Sequence, residues 1–147
     1  MMTLANLLGL SLEKVEPDAA SISRLMDAAR RSLADAQLTN MSSEGRFDMA
    51  YKAIMQAANS ALQANGYRTL TSKPGHHQTM IQSLPLTIGL DAKTMIVLDG
   101  LRKQRNVSDY SGDPVSESMA LEAIAHARAL LVQVEHWLNA NKRHLVG

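Results

Sequence analysis

The stretch FDMAYKAIMQAANSALQANG, residues 47–66, decides the fold class. Its apolar residues Phe47, Ala50, Tyr51, Ile54, Ala58, Ala61 and Leu62 recur every three or four positions. That is the period of one helix face, not of a strand. The stripe is rich in alanine, so a neighbouring helix can approach closely. Asn65-Gly66 supplies a left-handed stop at its end. Upstream, LTNMSSEG (38–45) reads as a connector in which Ser42 or Ser43 caps the helix.

The same period appears on both sides. Ile22, Leu25, Met26, Ala29, Leu33 and Ala36 define a helix that starts at Pro17-Asp18 and runs to about Gln37. Arg24, Arg30 and Arg31 fall among its polar positions. Residues 67–77 read as a loop with a Pro-Gly turn. HHQTMIQSLP (76–85) reads as a short helix closed before Pro85, and LTIGL (86–90) as a buried linker. Asp91 caps a helix that carries Met95, Leu98 and Leu101. The last helix starts at Pro114 or Val115 and runs to about Asn141, with a broad apolar face from Ala120 to Leu138. Lys142, Arg143 and His144 suit its C-terminal dipole.

Together these elements predict a single all-α domain over residues 1–147: a lead at 1–16, then an antiparallel up-down bundle of four to five helices over 17–141. The wide apolar faces suggest a homodimer. Composition agrees, since the 3% aromatic content is too low for a β-sandwich. Nine Met residues point to an adaptable core or contact surface.

The net charge of +1 supplies no global attraction to nucleic acid, so any such site must be local. The absence of Cys excludes disulfide scaffolds and Cys-based zinc sites. No run approaches the ~20 apolar residues of a membrane span. Residues 1–17 lack the basic start of a signal peptide. The expectation is a cytoplasmic protein without membrane contact. No phosphate-loop, dinucleotide, zinc-protease or serine-hydrolase motif is present, so neither a cofactor nor a metal is expected.

Polar chemistry concentrates in LRKQRNVSDYSG, residues 101–112. On a helix Arg102, Arg105, Asn106 and Asp109 share one face, at the edge of the core. As surface groups they would form the pairs Arg102–Asn106 and Arg105–Asp109, each worth a few tenths of a kcal/mol. As a site, Arg and Asn beside a Tyr hydroxyl and a Gly turn suit a phosphate or ribose. His76 and His77 point about 100° apart on a helix and cannot chelate one metal together. One of them could cap the preceding turn, or act in proton transfer near the arginines. Tyr51 reads as a core residue whose hydroxyl finds a partner, and Trp137 as an anchor of the last helix.

The order of four landmarks resembles the HEPN family, the higher-eukaryote and prokaryote nucleotide-binding domains. These are RFDMAYKAIMQAANSALQANGYR (46–68), PGHH (74–77), LRKQRNVSDYSGDPVS (101–116) and a long Ala/Leu helix reaching HWL (136–138). The likeness spans residues 17–140, and the specific branch is one with an RN-x-x-(D/E)-Y signature. It implies a helical bundle, usually dimeric. It also implies a metal-independent endoribonuclease of toxin–antitoxin or defence systems, in which Arg and His motifs from two copies meet across a cleft. Carried onto this chain, the resemblance gives Arg105, Asn106 and Tyr110 catalytic positions. Arg102, Arg105, Asp109, His76 and His77 are candidate RNA contacts. Tyr110 stands where the family has His. A phenol with a pKa near 10 is a poor base at neutral pH, although it can donate a hydrogen bond or stack on a base.

Three functions are therefore open. The first is an RNA-directed nuclease or toxin-like effector. The second is a non-catalytic RNA- or nucleotide-binding module, with a cognate antitoxin or nucleotidyltransferase as partner. The third is a helical dimerisation domain in which the Arg105 segment only fastens a helix end.

Overall fold

The computed structural model describes residues 2–72 and 74–146. Among the described residues six α-helices carry the chain: α1 (Ala19–Ala36), α2 (Ser43–Ala64), α3 (His76–Gln82), α4 (Leu84–Thr87), α5 (Ala92–Ser111) and α6 (Glu117–Asn141). The all-α bundle read from the sequence is the observed architecture.

The helix starts follow side-chain chemistry. Asp18 accepts from the backbone N–H of Ser21 at 3.1 Å, Ser42 from Gly45 at 3.0 Å and Ser116 from Met119 at 3.2 Å. Each satisfies an N–H that the first helical turn leaves without a partner. Asp91 does the same for Lys93 at 3.3 Å. At the other end of α2, Gly66 takes φ +88°, the left-handed stop expected from Asn65-Gly66.

α2 is the axis of the molecule. It packs along α1 and α6 and touches α3, α4 and α5 as well. Ala50, Ala53, Ala57, Ala58, Ala61 and Ala64 are all buried on it. Small side chains bring the neighbouring backbones close, while Phe47, Ile54 and Leu62 fill the remaining volume. α1 runs antiparallel to α2: Ser32 meets Gln56 at 2.8 Å, and Arg46 donates to the carbonyl of Ala36 at 2.8 Å. Arg30 pairs with Glu135 and so ties α1 to α6.

Four expectations are corrected. The lead and the 67–77 loop are not featureless: Leu12–Lys14 (β1) and Tyr67–Thr69 (β2) form a two-stranded antiparallel ribbon, with Leu12 opposite Thr69. Leu12 is fully buried there against Leu4 and Leu62, a small second cluster that a three-residue strand is too short to announce in sequence. Pro85 does not merely close a helix; it opens the separate short helix α4, where its missing N–H costs nothing. Leu86 and Thr87 thus belong to α4 rather than to a linker, although Leu90 is buried as expected. The last helix starts at Glu117, not at Pro114 or Val115, because Ser116 caps it and Val115 is buried ahead of it. Part of the expected turn before His76 falls on Lys73, outside the described residues.

Neighbouring positions on α2 should respond in opposite directions. Ala57→Leu forces extra carbons into a closed contact and is expected to lower stability by about 1–3 kcal/mol. Ser60→Ala removes a fully buried hydroxyl that has no hydrogen-bond partner among the described residues. It is expected to be neutral or to stabilise by up to ~1 kcal/mol. Urea titration of the two variants measures both.

Candidate functional site

One face of α2 escapes the packing. Asp48, Lys52, Gln56 and Asn59 recur there at helical spacing, with Met49 and Met55 between them. Together with His77 and Met80 of α3 and Arg105 of α5 they line a groove of about 470 Å³. That volume is in the range of a small-molecule or single-nucleotide site. The groove has a soft apolar floor of methionine and a rim of charges and amides.

Its centre is a three-residue stack. Tyr51 is buried in the wall, and its hydroxyl lies 3.2 Å from Nδ1 of His77. The Arg105 guanidinium sits over the Tyr51 ring, 5.0 Å from its centroid, within cation–π range. His76 stands edge-on to His77, with ring centroids 4.7 Å apart. The expectation that the Tyr51 hydroxyl finds a partner is met, and the partner is one of the two flagged histidines.

Burial and charge shift these groups. Burial pushes the Tyr51 phenol up to about 12, against the pull of Arg105 and Arg102. The phenol thus keeps its proton at neutral pH. Burial also lowers the His77 pKa, and the positive charges of His76, Arg105 and Arg102 lower it further. His77 is therefore neutral at pH 7. The direction of the Tyr51–His77 hydrogen bond follows the imidazole tautomer: when the phenol donates to Nδ1, the imidazole proton lies on Nε2. Asp48 is raised by burial, and Asp109 and Glu44 add to that while Arg105 opposes it.

The two arginines of the 101–112 stretch do different things. Arg102 is held: its Nε donates to Asp99 at 2.8 Å, and the two side chains are only 15% and 11% exposed. This pairing raises the Arg102 pKa. Arg105 is 34% exposed, and its carboxylate neighbour Asp48 stands 3.8 Å away, beyond a good hydrogen bond. The expected pairs Arg102–Asn106 and Arg105–Asp109 are replaced by Arg102–Asp99 and Arg105–Asp48, because a buried acid three residues back and an acid on α2 lie nearer. Asn106 and Asp109 are exposed, with Asp109 close enough to act on Asp48.

Tyr110 is 93% exposed. Five residues along a helix is a turn of about 140°, so Tyr110 and Arg105 leave α5 in different directions. Within one chain the structure brings Arg105 and His77 to one groove, with His76 beside His77 and Tyr110 apart from them. Asp48, Lys52, Gln56 and Asn59 were missed in sequence, though their spacing of four, four and three was a visible polar stripe. Among the described residues no cluster of three or more His, Asp and Glu could hold a metal ion. No described helix is long and apolar enough to cross a membrane.

Neither a protein-family model nor a curated protein matches this chain. What the groove can do follows from its own geometry.

Two measurements separate scaffold from site. Arg102→Ala leaves Asp99 buried, with Lys103 at 3.8 Å as its one cationic neighbour among the described residues. It is expected to cost about 3 kcal/mol. Arg105→Ala removes a partly exposed cation and is expected to cost under ~1 kcal/mol; thermal melts of both variants check this.

The depressed His77 pKa also predicts a pH dependence. Between its ordinary 6.5 and the lower folded value, the unfolded chain binds the proton and the native fold resists it. The stability attached to neutral His77 is whole above about pH 6.5 and is lost as pH falls through that window. His77→Gln should flatten that part of the stability–pH curve in urea titrations from about pH 7 to 5.

Proposed function

We propose that this chain is an HEPN-like protein that binds RNA or a nucleotide through the Arg105 groove. The observation that carries the reading is a convergence. Three of the segments on which the resemblance rests, 46–68, 74–77 and 101–116, supply Tyr51, His77 and Arg105 to one groove.

The chemistry suits a phosphate beside a flat, partly apolar group. Arg105 and Lys52 can meet phosphate oxygens, and the Arg105 fork does so in bidentate fashion. Neutral His77 presents Nε2–H as a further donor. The methionine floor, with the amides of Gln56 and Asn59, suits a base or ribose. Tyr110, being exposed, is free to stack on an RNA base outside the groove.

The same features favour binding over cleavage. Hydrolysis at a ribose 2′-OH calls for a base with a free lone pair. When the Tyr51 phenol donates to it, His77 has Nδ1 engaged and Nε2 protonated, and Tyr110 is a phenol pointing elsewhere. The non-catalytic module is thus the better supported version. Its proposed setting is the cytoplasm, with a cognate antitoxin or nucleotidyltransferase as protein partner. A metal-independent endoribonuclease is the second version, in which the two motifs would have to meet between copies.

Fluorescence titration of metal-free protein with labelled RNA and with nucleoside monophosphates tests the reading. Arg105→Ala should weaken binding by about tenfold to a hundredfold while the melting temperature holds. Tyr110→Phe should leave mononucleotide binding unchanged. Absence of affinity for every RNA and nucleotide removes the proposal. RNA cleavage that is lost in both Arg105→Ala and Tyr110→Phe would favour the nuclease version instead.

A further inference from the structure

The groove on α2 changes character along its length. Asp48 and Lys52 lie toward the start of the helix, where Arg105 comes in from α5. Gln56 and Asn59 lie toward its end. Seven residues separate Lys52 from Asn59, about 10 Å along the axis. Charge thus gathers at one end of the groove and neutral amides at the other. A nucleotide has the same polarity, with a charged phosphate at one end and a neutral base at the other. If the Arg105 groove takes a nucleotide, its phosphate lies at Arg105 and its base between the amides, on the methionine floor.

The amides are held by the fold. Gln56 Oε1 accepts from the hydroxyl of Ser32 on α1 at 2.8 Å. Ser32 is buried, and Gln56 is the one acceptor that its hydroxyl has among the described residues. Turning the amide over would leave that proton without an acceptor inside the fold, so the amide stays as it is. Asn59 is engaged in the same way, its Oδ1 accepting from Gln63 Nε2 at 3.2 Å. Both carbonyl oxygens are therefore occupied. Among the described residues neither amino group has a partner, and neither is buried. Positions 56 and 59 are neighbours on one helix face. The amide end of the groove presents two N–H donors, and Met55 and Met80 beside them supply no strong acceptor.

We infer that the groove selects an oxopurine base, guanine over adenine, through the amino groups of Gln56 and Asn59. The Hoogsteen edge of guanine carries two adjacent acceptors, O6 and N7. Adenine puts an amino group in place of O6, and it would meet the Gln56 amino group donor to donor. A site built around one hydrogen-bonding pattern rejects the base that leaves its groups unpaired. Arg105 and Lys52 meet the phosphate, which every nucleotide shares, and so add affinity without selectivity. Ser32 touches no ligand; it is a positioning residue that keeps the Gln56 amide facing one way.

This inference rests on the nucleotide reading of the groove, and the two fail differently. The full chain is titrated with GMP, IMP and AMP. GMP should bind about tenfold or more tighter than AMP. IMP keeps O6 and N7 and lacks only guanine's own amino group, so it should bind like GMP. Loss of N7 in 7-deaza-GMP should weaken binding severalfold. Gln56→Glu replaces the donor by an acceptor and should narrow or reverse the GMP-to-AMP ratio. Ser32→Ala frees the amide to turn and should narrow the ratio by tightening AMP, a gain that damage to the fold does not produce. AMP binding as tightly as GMP, or a ratio that neither variant moves, would overturn the inference. Binding without base preference removes the selectivity alone, whereas no binding of any nucleotide or RNA removes the groove reading with it.

Discussion

Close packing of alanine on α2 is the constraint on which the rest of the molecule depends. A helix lined with large residues holds its neighbours about 10 Å away and needs few of them; one lined with Ala gains burial only by admitting several helices at short range. α2 accordingly sits inside α1, α6 and the α3–α5 side at once. A helix so surrounded has little surface left. The strip that remains, Asp48 to Asn59, is bordered on both sides by packed elements and is therefore a groove rather than a flat face. The functional candidate is thus a by-product of the core: the residues that close the bundle also define the depth and width of its opening.

That origin explains the division of labour on α5. Its arginines arrive at the groove from one side, three residues apart, yet only one is available. Asp99 is buried and must be compensated, since an unpaired carboxylate inside the fold costs several kcal/mol. Arg102 supplies that compensation and is committed to the scaffold. Arg105 has no equally buried acid to answer. It rests on the face of Tyr51, which holds its position without cancelling its charge. Burial lowers the His77 pKa most, and His76, Arg105 and Arg102 lower it further.

Most of the helical frame was legible because it rests on local signals. Period, caps and the Asn65-Gly66 stop act within one or two turns, so Asp18 and Asp91 could be read directly and Ser42 as one of two adjacent candidates. The β1–β2 ribbon was not legible. Three residues give no measurable alternation, and its stability comes from Leu12 meeting Leu62, fifty residues away. The site was half legible for the same reason. Arg105 and His77 stood out by residue type. Tyr51 was placed in the core, which is correct, but its role as the plate between them depends on how α3 and α5 approach α2. No spacing within one segment encodes that. The surface pairs assigned to Arg102 and Arg105 failed because a helix offers each Arg several partners within reach. Burial of Asp99, a tertiary property, decides among them.

The hold of Asp48 on Arg105 bears on what the groove can bind. At 3.8 Å the pair lacks a direct hydrogen bond, so the acid holds the cation only loosely. Burial, Asp109 and Glu44 all favour the protonated form of Asp48, with only Arg105 opposing. An incoming phosphate would meet an arginine that is oriented by an aromatic ring and loosely countered by a carboxylate. It would have little to break in order to bind. It would also bring negative charge toward Asp48, whose pKa burial already raises. The aromatic ring under Arg105, rather than the acid beside it, sets where the cation stands when the groove is empty.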